Sequence, residues 1–295
     1  MSKSYVYAGF TIFFWATIAT AFKIALRYVN YVELVLYCSI TTLIILFFIL
    51  LAQNRLKDVF RIRRVHYLNS LILGFVNPFA YYLILFKAYS LLPAQVAQPL
   101  NFTWPIVLTF LSIPVLKQPV KAKNIMALFL SFIGVYLISS EGTPFDLRFA
   151  EPLGVFLAVG SSLIWASYWL VNMKDTRDDV PKIFLNFLFS LLFIVPYWLI
   201  FTEPTVPSWE GILASAYSGA FEMGITFVLW LKALRLAKST AIVSNLIYLA
   251  PFFSLIFIQF VLREQIHFTT IIGLIFIVSG IVYQEINKNK VYETT

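Results

Sequence analysis

The sequence predicts an all-α, polytopic membrane protein with ten transmembrane helices arranged as two inverted five-helix repeats. Its 295 residues are 60% hydrophobic and 12% charged, with a mean hydropathy of +0.84, whereas soluble domains are about half apolar and a quarter charged. The apolar residues gather in runs of about 20, the length a helix needs to cross a bilayer. The second half of the chain also repeats the first.

The runs fall at 4–27, 33–53, 67–90, 94–116, 124–140, 152–173, 182–202, 211–234, 240–262 and 268–286. A membrane barrel would need strands about 10 residues long with alternating polarity; these runs are twice that length and apolar all round. The first run follows Lys3 with no small-residue cleavage site behind it, so it reads as a retained helix and not a signal peptide. With the N-terminus in the cytoplasm, Lys3, Arg55, Lys57, Arg61, Arg63, Arg64, Lys117, Lys121, Lys123, Lys174, Arg177, Lys182, Arg235, Lys238, Lys288 and Lys290 fall inside. Arg27, Arg148 and Arg263 fall outside, and Lys23, Lys87 and Lys232 lie within runs. This asymmetry predicts cytoplasmic termini in an inner membrane. It also accounts for most of the net charge of +8 without a nucleic-acid partner.

The repeat is visible in the rarer residues. At an offset of 145, Gly74 falls on Gly219, Lys87 on Lys232 and Ala88 on Ala233. At 146, Pro105 falls on Pro251, Leu116 on Leu262, Lys117 on Arg263 and Gly134 on Gly280; at 150, Trp15-Ala16 falls on Trp165-Ala166. The repeats are expected at 1–142 and 151–288. Five helices are an odd number, so the second repeat enters the membrane inverted, as in many secondary transporters.

Trp15-Ala16, Trp165-Ala166-Ser167-Tyr168, the fourth run reading Ala94-Gln95-Val96-Ala97-Gln98-Pro99-Leu100-Asn101-Phe102-Thr103-Trp104-Pro105, and Asn245-Leu246-Ile247-Tyr248-Leu249-Ala250-Pro251 in the ninth together resemble the drug/metabolite transporter superfamily. The specific resemblance is to its EamA-domain family, once per half. Ile164-Trp165-Ala166-Ser167-Tyr168 is similar to the aromatic amino acid exporter branch. Where that branch carries small or apolar residues in its eighth helix, this chain reads Glu222-Met223-Gly224. The resemblance implies a metabolite exporter with no cofactor.

Polar groups inside a bilayer are costly and usually face a cavity or another helix. The sixth run sets Trp165, Tyr168, Trp169 and Asn172 on one helical face and Gly154, Ala158, Ser162 and Ala166 on the other. The first face suits a cavity, the second close helix packing. Gln98, Asn101 and Trp104 in the fourth run, Asn245 and Tyr248 in the ninth, Asn77, Pro78, Tyr81 and Tyr82 in the third, and Trp15 in the first complete the expected binding set. Pro99, Pro105 and Pro251 are candidate bends, because a proline removes a helical hydrogen bond. Glu222 has three open roles: a proton-coupling carboxylate, an ion pair with Lys23, or a neutral acid in a hydrogen bond.

Aromatic faces suit flat apolar and cationic solutes. The expected function is export of small organic metabolites by alternating access, with amino acids, aromatic ones above all, as the favoured class. The alternatives are lipophilic cations or drugs, or a non-transporting scaffold or sensor. The expected partners are a small-molecule substrate, the lipid bilayer and a coupling proton, with the protein acting as a monomer. His66, His267 and the lone Cys38 form no metal or catalytic spacing, so neither a metal nor an enzyme is expected. Asp175, Asp178 and Asp179 beside Lys174 and Arg177 read as a solvated mixed-charge loop.

Overall fold

A computed structural model describes residues 3–115, 122–144, 151–172, 174–203, 206–237, 243 and 246–292, and the regular structure among them is helical throughout. We number the helices α1 (Lys3–Ala25), α2 (Tyr31–Ala52), the short α3 (Leu56–Phe60), α4 (Arg64–Leu91), α5 (Ala94–Asn101), α6 (Trp104–Val115), α7 (Ala122–Ser139), α8 (Pro152–Asn172), α9 (Asp179–Phe201), α10 (Trp209–Arg235), α11 (Leu246–Leu262) and α12 (Phe268–Tyr292). Six of them, α1, α2, α4, α8, α9 and α10, are long and apolar enough to cross a membrane. Shorter apolar helices lie at Ile125–Ser139, Leu246–Leu262 and Phe268–Tyr283.

The helix ends follow local chemistry. Asn30 caps α2 by accepting from the Val32 and Glu33 amides, while Glu33 accepts from the Asn30 amide, a reciprocal box. The Ser208 hydroxyl accepts the Gly211 amide at the start of α10. The α11 helix ends at Arg263 in the left-handed region, φ 59°.

Two long helices change pitch part-way. The α4 helix passes through a π-helical stretch at Phe75–Ala80, with Asn77 pulled out to φ −148°, ψ 119°. The α10 helix does the same at Gly219–Gly224. Each stretch begins beside a glycine at a very close crossing. A Cβ on Gly74 would lie 2.4 Å from the Asn186 carbonyl oxygen on α9, and one on Gly219 would lie 2.5 Å from the Cys38 carbonyl oxygen on α2. The α7 and α12 helices cross in the same manner: a Cβ on Gly134 would meet the Gly273 carbonyl at 2.5 Å, and one on Gly280 the Ala127 carbonyl at 2.9 Å. These backbone contacts need residues without side chains.

The outer surface is strongly apolar. Phe156, Ile200 and Phe260 are 73%, 72% and 75% exposed, and an apolar surface this extensive requires a partner such as lipid. The interior holds the polar groups: Ser161, Ser190, Asn186, Thr226 and Thr42 are fully buried, and the Thr42 hydroxyl bridges the Cys38 and Gly219 carbonyls.

Side-chain clasps close both ends of the bundle. At one end Lys23 donates to the Tyr89 and Leu92 carbonyls at 2.9 and 3.0 Å. There Glu264 also accepts the Ala94 and Gln95 amides at the start of α5. At the other, Arg177 binds Asp175 at 2.6 Å and donates to the His66 carbonyl and the Ser70 hydroxyl. Arg55 pairs with Asp58 and Asp178, and Asp179 with Lys182 and Arg235. The mixed-charge loop is therefore not simply solvated: the Arg177 and Asp175 side chains are only 9% and 7% exposed. Sequence proximity concealed this, because the groups that bury the pair come from α4.

Candidate functional site

A cavity of about 120 Å³ lies between α1, α4, α5, α6, α8, α10 and α11. Its walls are mainly aromatic. Trp165 of α8 stacks on Tyr81 of α4 at 4.6 Å between ring centroids and meets Trp169 edge-on at 5.8 Å. Trp15 of α1 sits 5.7 Å from Trp230 and 6.2 Å from Phe227, both on α10. Phe227 in turn stacks on Trp169 at 6.2 Å, so the rings form a continuous lining from α1 through α10 to α8 and α4.

Polar groups interrupt this lining at few points. Asn101 accepts from the Tyr81 hydroxyl at 3.2 Å and donates to the Ser161 hydroxyl at 2.8 Å, which fixes its amide. Gln98 lies one turn earlier, on the cavity wall, and its buried Oε1 has no hydrogen-bond partner. Glu222 is the only acidic residue on the wall among the described residues. It sits in the π-helical stretch of α10, and the extra residue per turn there alters the direction of its side chain. Its Oε1 accepts from the Tyr82 hydroxyl at 3.2 Å. The Trp15 indole N–H reaches the Glu222 carbonyl at 3.5 Å.

Of the residues expected from sequence, Trp15, Tyr81, Gln98, Asn101, Trp104, Trp165, Trp169 and Glu222 meet at this cavity. Others lie behind it. Tyr168 is buried and receives a hydrogen bond from Asn186 at 3.4 Å. Asn77 is buried in the π stretch of α4, and Tyr248 packs edge-on against Phe102 at 6.2 Å. Asn245 lies outside the described residues. Lys23 does not pair with Glu222; the two backbone carbonyls hold its ammonium instead. The prolines also sit differently from expectation. Pro99 is inside α5, but Pro105 falls in the first turn of α6 and Pro251 in the first turn of the α-helical part of α11. At those two positions a missing N–H removes no helical bond. The break in the fourth run lies just before Pro105, at Phe102–Thr103.

Sequence reasoning missed Phe227, Trp230 and Ser161. The available signal was the position of Trp230, eight residues after Glu222 and so near its helical face. Ser161 carried no signal, since only the packing of α8 on α5 brings it to Asn101. No group of three His, Cys, Asp or Glu able to hold a metal occurs among the described residues.

The sequence profile of the EamA-like transporter family matches twice, over residues 2–140 and 152–283. The chain belongs to the EamA-like transporter family. It is thus a multi-pass membrane protein of the drug/metabolite transporter superfamily. A relative from Archaeoglobus fulgidus, named an uncharacterized transporter, is 30% identical over 169 residues, covering 56% of this chain and 58% of its own length. Protein PecM of Dickeya dadantii is 28% identical over 222 residues, 72% of this chain and 71% of its own. The uncharacterized transporter YetK of Bacillus subtilis is 26% identical over 204 residues, 65% and 59%. The chain thus spans less than two thirds of the Archaeoglobus and Bacillus proteins. A solved crystal structure shares the fold, with a TM-score of 0.70 over 98% of both chains at 17% identity.

Proposed function

We propose that this EamA-like protein is a secondary transporter that exports small organic metabolites across an inner membrane by alternating access. The aromatic cavity, reached by α1, α4 and α5 from one half and α8, α10 and α11 from the other, carries the reading. A flat apolar group stacks on Trp15, Trp165 and Trp169, while Gln98 and Asn101 meet its polar head. Amino acids, the aromatic ones first, are the class the sequence favours; lipophilic cations are the second reading, favoured by Glu222 on the wall.

Alternating access follows from two inverted five-helix repeats at 1–142 and 151–288, ten spans in all, with both termini cytoplasmic. The exchanged contacts support this. Gly74 on α4 packs on α9 as its repeat mate Gly219 on α10 packs on α2. The Gly134–Gly273 contact and the Gly280–Ala127 contact are also mates, since an offset of 146 carries Gly134 to Gly280 and Ala127 to Gly273. Paired π stretches in α4 and α10 fit the same relation. Such halves exchange conformations around a site between them. The ten spans form a self-sufficient bundle, so the transporting unit is a monomer, and a proton is the candidate coupling ion.

The test is flux from liposomes loaded first with labelled phenylalanine, then with a wider panel of metabolites and lipophilic cations, with and without a pH gradient. Protein-dependent release of any of them is the expected result. No release above empty liposomes across the whole panel overturns the reading.

A further inference from the structure

We propose that Glu222, positioned by Tyr82, is the subsite for a protonated amine, and that the cavity selects aromatic amines lacking a carboxylate over the corresponding amino acids. This rests on the transport reading and sharpens its second substrate class, the cations, against the amino acids that the sequence favours.

The charge inventory of the cavity carries the argument. Glu222 is the acidic group on the wall, and no Lys, Arg or His lines it among the described residues. The ion pairs found among those residues lie at Arg55, Asp58, Asp175, Arg177, Asp178, Asp179, Lys182 and Arg235, and none includes Glu222. Lys23, the basic residue of α1 within the bundle, has its ammonium bound to the Tyr89 and Leu92 carbonyls. The carboxylate thus has the Tyr82 hydroxyl as donor but no compensating cation among the described residues. A lone carboxylate in a low-dielectric interior is costly, and a ligand cation offsets that cost.

The neighbouring groups favour the same ligand. Gln98 is on the wall, and its buried Oε1 is an unpartnered acceptor of the kind an ammonium N–H would satisfy. The Asn101 amide is engaged on both sides, by Tyr81 and Ser161, and its second N–H is a neutral donor that does not balance a substrate carboxylate's charge. The Trp169 indole N–H is buried and unpartnered, and as a neutral donor it does not balance a second negative charge. The ring faces of Trp15, Trp165 and Trp230 attract a cation as well as an aromatic ring. An amino acid would place its own carboxylate in a site already negative and without a cation to receive it. The decarboxylated amine carries the same ring and ammonium with no such conflict.

The test is calorimetric titration of the purified full chain at neutral pH with phenethylamine, phenylalanine and 2-phenylethanol, in wild type, Glu222→Gln, Glu222→Asp and Tyr82→Phe. In wild type, phenethylamine binds about tenfold or more tightly than phenylalanine. Glu222→Gln removes that preference while 2-phenylethanol binds as before, and Glu222→Asp keeps part of it. Tyr82→Phe weakens amine binding less than Glu222→Gln does. Equal or tighter binding of phenylalanine in wild type overturns the subsite, as does a preference that survives in Glu222→Gln. Should that variant not fold, the wild-type ranking decides alone. Flux with no amine preference overturns the subsite and leaves transport standing; neither flux nor binding for any solute removes both.

Discussion

Gly74 faces the Asn186 carbonyl so closely that a Cβ at residue 74 would lie 2.4 Å from the oxygen, with the Ser190 amide nitrogen at 3.1 Å. Both obstacles are backbone on α9, so neither moves without shifting the helix. We expect Gly74→Ala to lower stability by about 1–3 kcal/mol, the usual cost of forcing extra volume into a close-packed contact. Gly219→Ala, against the Cys38 backbone, should behave alike. Gly160 provides the control: a Cβ there meets nothing within 4 Å. Replacing glycine by alanine in an open helical position gains about 0.5–1 kcal/mol, so Gly160→Ala should raise the melting temperature in detergent while Gly74→Ala lowers it. The same sign for both would contradict the packing described.

Lys23 joins α1 to the last carbonyls of α4 through Tyr89 and Leu92. Lys23→Met leaves both carbonyls without their charged donor, and hydrogen bonds to charged groups contribute about 1.5–3 kcal/mol. The expected outcome is a lower melting temperature of that order with unchanged solute affinity, measured by thermal unfolding and by titration on the same preparation. Lost affinity with normal stability would instead place Lys23 in the binding site.

The contrast between Lys23 and Glu222 marks what was legible in the sequence. Apolar runs locate long helices well, because a bilayer demands about 20 apolar residues per crossing; among the described residues six of the ten runs appear as helices long and apolar enough to cross. They say little about faces. In a membrane protein both the lipid side and the packed side are apolar, so Phe156 at 73% exposure and Phe22 at 2% are equivalent letters in the chain. Trp165 stood out because aromatics and small residues divide α8 into two faces; Phe227 and Trp230 did not, because from Met223 to Leu231 α10 is apolar at all positions but Thr226. The π stretches at Phe75–Ala80 and Gly219–Gly224 have no residue signature of their own. The partners of Lys23, 66 and 69 residues away, are backbone atoms that any sequence would supply.

Asp175 and Arg177 give a pH signature. Burial works against the Asp175 charge, but the Arg177 guanidinium and backbone N–H hold its carboxyl below the ordinary value of 3.8. A depressed pKa contributes stability that is complete above the unfolded value and lost as pH falls through the folded one. At pH 7, Asp175→Asn leaves Arg177 buried without its counter-ion, at a cost of about 3–5 kcal/mol. We expect the stability gap between wild type and Asp175→Asn to be widest at neutral pH and to close as pH drops below about 4. Melting temperatures across that range read it directly, and a gap constant with pH would refute the pairing.

Trp165 contributes to the cavity through stacking on Tyr81 at 4.6 Å and on Tyr168 at 6.0 Å, and through an edge contact with Trp169 at 5.8 Å. Trp165→Ala removes the ring a substrate would stack on and frees Tyr81 to tilt away from Asn101. An aromatic pair adds about 0.5–1.5 kcal/mol beyond area burial, and tenfold in affinity corresponds to about 1.4 kcal/mol. With the lost contact area included, the half-saturating solute concentration should rise about tenfold or more. Trp165→Phe keeps a ring and should restore much of the loss, whereas a purely structural role would lower the amount of folded protein and leave the half-saturating concentration unchanged. Initial flux rates against solute concentration, normalised to folded protein, separate the two. Unchanged kinetics in Trp165→Ala would mean that the solute passes elsewhere and that the aromatic lining is packing alone.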